Sequence, residues 1–191
     1  MPKTNTNKNR NDPRTSKSIR DIKRAMLELV AEEPFDQIQA EEIMRTAPVN
    51  KNTFYKYFGS KQDVLDAVRE DLLSEMINRL NKMPDKSLRG GGVGLFYNCL
   101  NTNSPARYKL LNANEYSDFA DKLSAEFFAA DFFKSFCDMP EHQEMVSDFI
   151  ADVSIGVYRR WKNKPKDERQ DLEKLAEMTT HILMDGLKGI G

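Results

Sequence analysis

The chain is poor in the residues that carry most catalytic and metal chemistry: 191 residues hold two cysteines, two histidines and one tryptophan. Cys99 and Cys137 lie in unrelated segments without CxxC spacing, and His142 and His181 complete no ligand spacing with them. That excludes a zinc site and a disulfide framework, and the two thiols read as small apolar side chains. No Ser-His-Asp set, glycine-rich phosphate loop or paired metal ligands can be assembled, so neither an enzyme, a cofactor nor a metal is expected. Also missing is any run of eighteen apolar residues, and the opening MPKTNTNKNRNDPR is polar and basic without a signal-peptide core. The expectation is a soluble, cytoplasmic protein of one or two compact domains.

Net charge is also nearly absent, at -1, but it is unevenly spread. Through Lys61 there are twelve Lys/Arg against eight Asp/Glu, and beyond it seventeen against twenty-two. Within the first 24 residues, Lys3, Lys8, Arg10, Arg14, Lys17, Arg20, Lys23 and Arg24 face only Asp12 and Asp21. The pattern is a basic arm leading into a helix, able to meet phosphate.

What the chain does have is helical periodicity, with no alternating strand pattern of useful length, so the fold class is all-α. Ile22, Met26, Leu29 and Val30 form an apolar stripe on a first helix from Ser16 to Glu33, which Pro34 ends. Glu41 to Ala47 reads as a short second helix, with Ile43 and Ala47 facing inward. After a turn at Pro48 and Val49, Asn50 caps a third helix, NKNTFYKYF, closed by Gly59. Ser60, with Asp63 in the capping-box position, starts a long fourth helix reaching Lys82.

A helix, a short helix, a tight turn and another short helix is the arrangement that lays one helix in the major groove. Phe54, Phe58 and Val49 hold the third helix to its bundle, while Lys51, Asn52, Thr53, Tyr55, Lys56 and Tyr57 offer donors for base edges and phosphates. The domain reading is a flexible basic arm over 1–15, a helix-turn-helix DNA-binding domain over 16–62 and a helical ligand-binding and dimerisation domain over 63–191.

From Ile19 to Leu73 the chain resembles the TetR family of bacterial regulators, through IRDIKRAMLELVAEEPFDQI, AEEIMRTAPV and above all NKNTFYKYFGSKQDVL. The last matches the family's Thr-Phe-Tyr, aromatic-Phe, Ser-Lys signature. The resemblance implies a two-fold dimer on a palindromic double-stranded operator, contacted by the start of helix one, where Lys17 lies, and by the helix-turn-helix. It implies phosphate or base contacts for Tyr55 and Tyr57, groove-facing positions for Lys51, Asn52 and Lys56, and a phosphate-binding role for Lys61, beside a positive helix N-terminus. The chain departs from the family pattern at Gln39, where Thr is common and whose amide can still reach phosphate, and at Pro48, where Gly is common.

Beyond helix four, periodicity predicts a loop at 85–94, helices at 95–100 and from Pro105, an unbroken helix from Tyr116 to Phe136, one from Pro140 to Trp161 and a last one from Glu168 to Lys188. Met145, Phe149, Val153 and Val157 form one stripe, which Ile150, Tyr158 and Trp161 broaden. The resemblance implies a dimer bundle built from the last two helices, with Phe149, Val153, Val157, Trp161, Leu175, Ile182 and Leu183 in the interface. It also implies a pocket for a small-molecule effector of unknown chemistry, for which Phe96, Tyr97, Tyr108, Tyr116, Phe119 and Phe128 are candidates. The function expected is a repressor released by that effector; the alternative is a DNA-bound adaptor whose C-terminal domain binds a protein partner.

Overall fold

The computed structural model describes residues 13–83, 91–134 and 140–188. The basic arm up to residue 12, most of the glycine-bearing loop and Cys137 lie outside the described residues. Among those described there are only helices and turns, and no helix is long and apolar enough to cross a membrane. The chain divides into two compact units, 1–70 and 71–191, the division falling within one helix.

The first unit contains α1 (Pro13–Glu32), α2 (Ala40–Thr46), α3 (Lys51–Tyr57) and the start of α4 (Lys61–Asn81). Ile22, Met26 and Val30 of α1 are fully buried, as are Ile38, Ile43, Phe54 and Val64. Each such large side chain removed from water contributes about 1.5–3 kcal/mol, enough to fix the two seven-residue helices α2 and α3, which would not persist alone. The turn from α2 to α3 accommodates Pro48: the N–H of Ala47 donates to the Ile43 carbonyl at 2.9 Å and that of Val49 to the Met44 carbonyl at 3.0 Å. Ala47 leaves the helix at φ -84°, so its exit needs no left-handed residue.

The second unit contains the rest of α4, α5 (Gly92–Leu100), α6 (Pro105–Asn112), α7 (Ser117–Phe128), α8 (Asp131–Lys134), α9 (Gln143–Lys162) and α10 (Leu172–Lys188). α5 packs on α10 at Gly94, where an added Cβ would meet the Ala176 Cβ at 3.8 Å, and the Tyr97 hydroxyl donates to Thr179 Oγ1 at 3.2 Å. α7 packs on α9, with Ser124 Oγ donating to the Ala151 carbonyl at 3.3 Å.

Four expected boundaries are corrected, the first being the start of α1, which lies at Pro13 and takes the last three residues of the segment expected as a flexible arm. The long helix from Tyr116 is broken after Phe128, where the Ala130 N–H donates to the Phe127 carbonyl and that of Phe133 to the Ala130 carbonyl. On an unbroken helix Phe128 and Phe133 would point about 140° apart. The break instead brings their rings to 4.7 Å, in a cluster where Phe96 lies 5.8 Å from Phe127 and 5.0 Å from Phe128. Ring burial therefore outweighs helical continuity. α5 begins already at Gly92, and α10 begins at Leu172 because Asp171 Oδ1 accepts the N–H groups of Glu173 at 2.9 Å and Lys174 at 3.3 Å.

Candidate nucleic-acid interface

α3 has seven residues, too short to be stable by its own hydrogen bonds, and is held by its cap and two anchors. The Thr53 N–H donates to Asn50 Oδ1 at 2.8 Å. Phe54 is fully buried, with Tyr55 edge-on at 5.2 Å and Phe58 at 6.2 Å. Since Phe54 and Phe58 are four apart and share the inner face, the opposite face is fixed: Lys51, Asn52, Tyr55 and Lys56 are exposed and Thr53 is half-buried. Tyr55 is 46% exposed. The Lys51 ammonium lies 5.9 Å from the Tyr55 ring centre and that of Lys56 lies 5.3 Å from Tyr57, so both cations are stacked over aromatic faces.

The exit from α3 is built around Asp63. Its carboxylate accepts the Gly59 N–H at 2.8 Å and the Ser60 hydroxyl at 2.9 Å, while Ser60 Oγ accepts the Asp63 N–H at 3.2 Å. Those donors, Ser60 first and Gly59 next, hold the Asp63 carboxyl below its usual value of 3.8.

The remaining candidates divide. Lys17 and Gln39 are exposed. The Gln39 side chain donates to the Gln37 carbonyl at 3.2 Å, and its backbone N–H is satisfied by the Glu42 carboxylate at 2.9 Å, which gives α2 half of a capping box. Tyr57 is half-buried, and its hydroxyl donates to Thr15 Oγ1 at 3.1 Å, tying α3 to the first turn of α1. Thr15 is a residue the sequence did not single out. Lys61 departs from the expectation most. Its half-buried ammonium donates to the carbonyls of Phe35 at 2.8 Å, Asp36 at 3.1 Å and Ile38 at 2.7 Å. An ammonium has three N–H donors, and all are used within the chain, which leaves none for a phosphate.

The second unit carries another exposed surface, of opposite character. Met145 and Phe149 on α9 are 62% and 56% exposed, and Met178 and Ile182 on α10 are 47% and 64% exposed. Val153, Val157 and Trp161 are half-buried. Of the residues expected at the interface, Leu175 and Leu183 are buried inside the subunit, while Met178, four residues before Ile182, is exposed with it. The Trp161 indole donates to the Gln170 carbonyl at 2.8 Å, with Arg169 over its ring at 5.5 Å, closing the α9–α10 turn.

Phe96, Tyr97, Tyr116, Phe119 and Phe128 are buried, whereas Tyr108 is exposed with Lys162 over its ring at 4.2 Å. An open cleft of about 290 Å³ lies between α7 and α9, lined by Asp121, Ser124, Asp148, Asp152 and Ile155 among others. Cys99 is buried, which pushes its thiol up to about 11 and makes it inert.

An all-helical chain with a capped, doubly anchored third helix presenting lysine, asparagine and tyrosine outward defines a helix-turn-helix protein. Residues 22–68 match the family model described as bacterial regulatory proteins, tetR family. Residues 22–68, about a quarter of the chain, are therefore similar to the DNA-binding region of TetR-family regulators. It is 33% identical over 57 residues to the HTH-type dhaKLM operon transcriptional activator DhaS of Lactococcus lactis, which is 30% of each chain. It is 30% identical over 66 residues to the uncharacterized HTH-type transcriptional regulator YvdT of Bacillus subtilis, 35% of this chain and 34% of that one. The matches therefore span about a third of these curated relatives. Over nearly the whole length the fold is similar to a TetR transcriptional regulator from Streptococcus agalactiae, with a TM-score of 0.66, 18% identity and 89% and 95% of the two chains covered.

Proposed function

We propose that the protein is a homodimeric, sequence-specific DNA-binding transcription regulator, acting as a repressor at a palindromic operator and released by a small-molecule effector. The observation that carries the DNA reading is the outward row of Lys51, Asn52, Tyr55 and Lys56 on a helix whose inner face is locked by Phe54. Lysine and asparagine reach guanine and adenine edges, and the tyrosine hydroxyl reaches phosphate. A gel-shift titration against DNA upstream of its own and neighbouring genes, with random competitor at physiological salt, tests it. A discrete, competitor-resistant complex at nanomolar protein is expected; salt-sensitive smearing on every fragment refutes sequence-specific binding.

The dimer reading rests on the exposed apolar residues of α9 and α10 and on Gly156 and Gly186, where an added Cβ would meet nothing within 4 Å. A second copy of the same face can bury those side chains and approach closely at the glycines. Sedimentation at micromolar concentration is expected to give a dimer, and a monomer there removes the basis for a two-site operator.

The effector reading is supported by two buried hydroxyls. Ser154 and Tyr158 lie four apart on α9, and neither hydroxyl has a hydrogen-bond partner among the described residues. Such groups are costly until a polar ligand or water meets them. Aromatic packing favours the second reading, the adaptor: Phe96, Phe127 and Phe128 fill the space around one another ring on ring. An effector screen on the operator complex separates the two, because the adaptor reading predicts that no small molecule changes the shift. Repression itself is read from a reporter at the bound promoter, whose expression is expected to rise when the protein is removed.

A further inference from the structure

We infer that Lys61 is a positioning residue for the recognition helix, a clamp that joins the two ends of the helix-turn-helix, and not a phosphate contact. The inference rests on the DNA-binding reading above. A cation in the first turn of a helix opposes the helix dipole, so Lys61 at the start of α4 is locally unfavourable unless something else neutralises it. Three carbonyls at 2.7–3.1 Å do so, together with the Phe35 ring at 4.7 Å. Those carbonyls belong to the irregular connection from α1 to α2, where backbone acceptors lack helical partners and need others.

The geometry matters because of what lies on either side. The connection at 35–38 is the approach to α2, and Lys61 follows the exit from α3 with only Phe58, Gly59 and Ser60 between. One ammonium therefore pins both ends of the α2–turn–α3 unit to a single point. The donor set is also specific in shape. An ammonium directs three N–H groups from one atom, whereas a guanidinium spreads its donors in a longer planar fork. Arginine can replace lysine against phosphate but cannot meet three converging carbonyls in the same space.

The test uses the full chain with Lys61→Met and Lys61→Arg, on operator and on random-sequence DNA across a salt series. Both variants are expected to lose about tenfold in operator affinity, with little loss on random DNA and an unchanged salt slope. In the free protein, amide exchange at Gln37 and Ile43, whose N–H groups bond to Pro34 and Gln39 carbonyls, is expected to quicken in both. Wild-type operator affinity in Lys61→Arg overturns the clamp, as does an equal loss on both DNAs with a slope lower by about 0.9, the signature of one phosphate contact. Unchanged exchange overturns it as well. If the wild-type protein binds no operator, the DNA reading fails by itself, and exchange in the free variants still judges the clamp. Lys61→Gln, with two donors retained, takes the same readouts if Lys61→Met does not fold.

Discussion

The two outward faces of this chain are made by the same local device and end in opposite chemistry. On α3 and on α9, residues four and eight apart are buried and fix which way the rest must point: Phe54 and Phe58 on one, Val146, Ile150 and Tyr158 on the other. What is then left outside differs. α3 presents two lysines, an asparagine and a tyrosine, and α9 presents Met145 and Phe149 beside exposed Glu144, Asp148 and Asp152. A polar face of this size gains little from association unless the partner is charged and its contacts are directional. An apolar face gains wherever water is excluded, so it selects a partner by shape and area. The first suits a polyanion with a fixed pattern of groups, the second a copy of itself.

The strongest way to break the comparison is to remove the inner anchor of one face and watch the other. Phe54→Ala is expected to cost about 3–5 kcal/mol, as for a fully buried aromatic, and to release α3. The sole tryptophan, Trp161, belongs to the second unit, so its fluorescence follows that unit alone. In urea, helical circular dichroism is expected to fall earlier in the variant while the Trp161 transition stays in place. A Trp161 transition that shifts equally would mean that the two faces are not carried by separately stable units.

Next in size is a charge on the apolar face. Phe149→Asp puts a carboxylate between Asp148 and, one turn on, Asp152 and Val153, and is expected to weaken the dimer by about 2 kcal/mol or more, read by sedimentation equilibrium. The monomer should keep its helix content, since Phe149 is 56% exposed already. On the other face the expected effects are smaller and take a different form. Lys51→Ala should lower the salt slope of DNA binding by about 1, and Tyr55→Ala should cost operator affinity about 1 kcal/mol with the slope nearly intact. Two flat salt responses, or two equal ones, would remove the distinction between charge and directional contact on α3.

How much of this was legible depends on how local the cause is. The α3 cap, its two phenylalanine anchors and the Ser60–Asp63 box involve residues within four of one another, and sequence spacing exposes them. Lys61 is the opposite case: its partners lie 23 to 26 residues upstream, and nothing in the local SKQD pattern says that the ammonium turns back onto carbonyls. Tyr57 is similar, because Thr15 is 42 residues away. On α10 the apolar periodicity is real but two-sided, so Leu175 and Leu183 could be read with Ile182 until burial separated them. The break after Phe128 was hidden because AEFFAADFFKSF carries no proline or glycine; the rings converge through long-range packing.

The smallest effect belongs to the box that ends α3, and its pH dependence has a definite sign. Asp63 has a depressed carboxyl in the folded state, so its contribution is fully present above its usual value of 3.8 and is lost as pH falls through the folded value. The group is exposed, which keeps the effect small. Asp63→Asn retains an oxygen that can accept from Gly59 but not the charge that strengthens the bond. Urea midpoints are therefore expected to be slightly lower for Asp63→Asn than for wild type at pH 7, with the difference closing as the pH is taken below 3.8. A difference independent of pH would mean that the side chain acts by shape alone. The exit from α3 would then be fixed by Gly59 and Ser60, with the clamp at Lys61 supplying the charge at the start of α4.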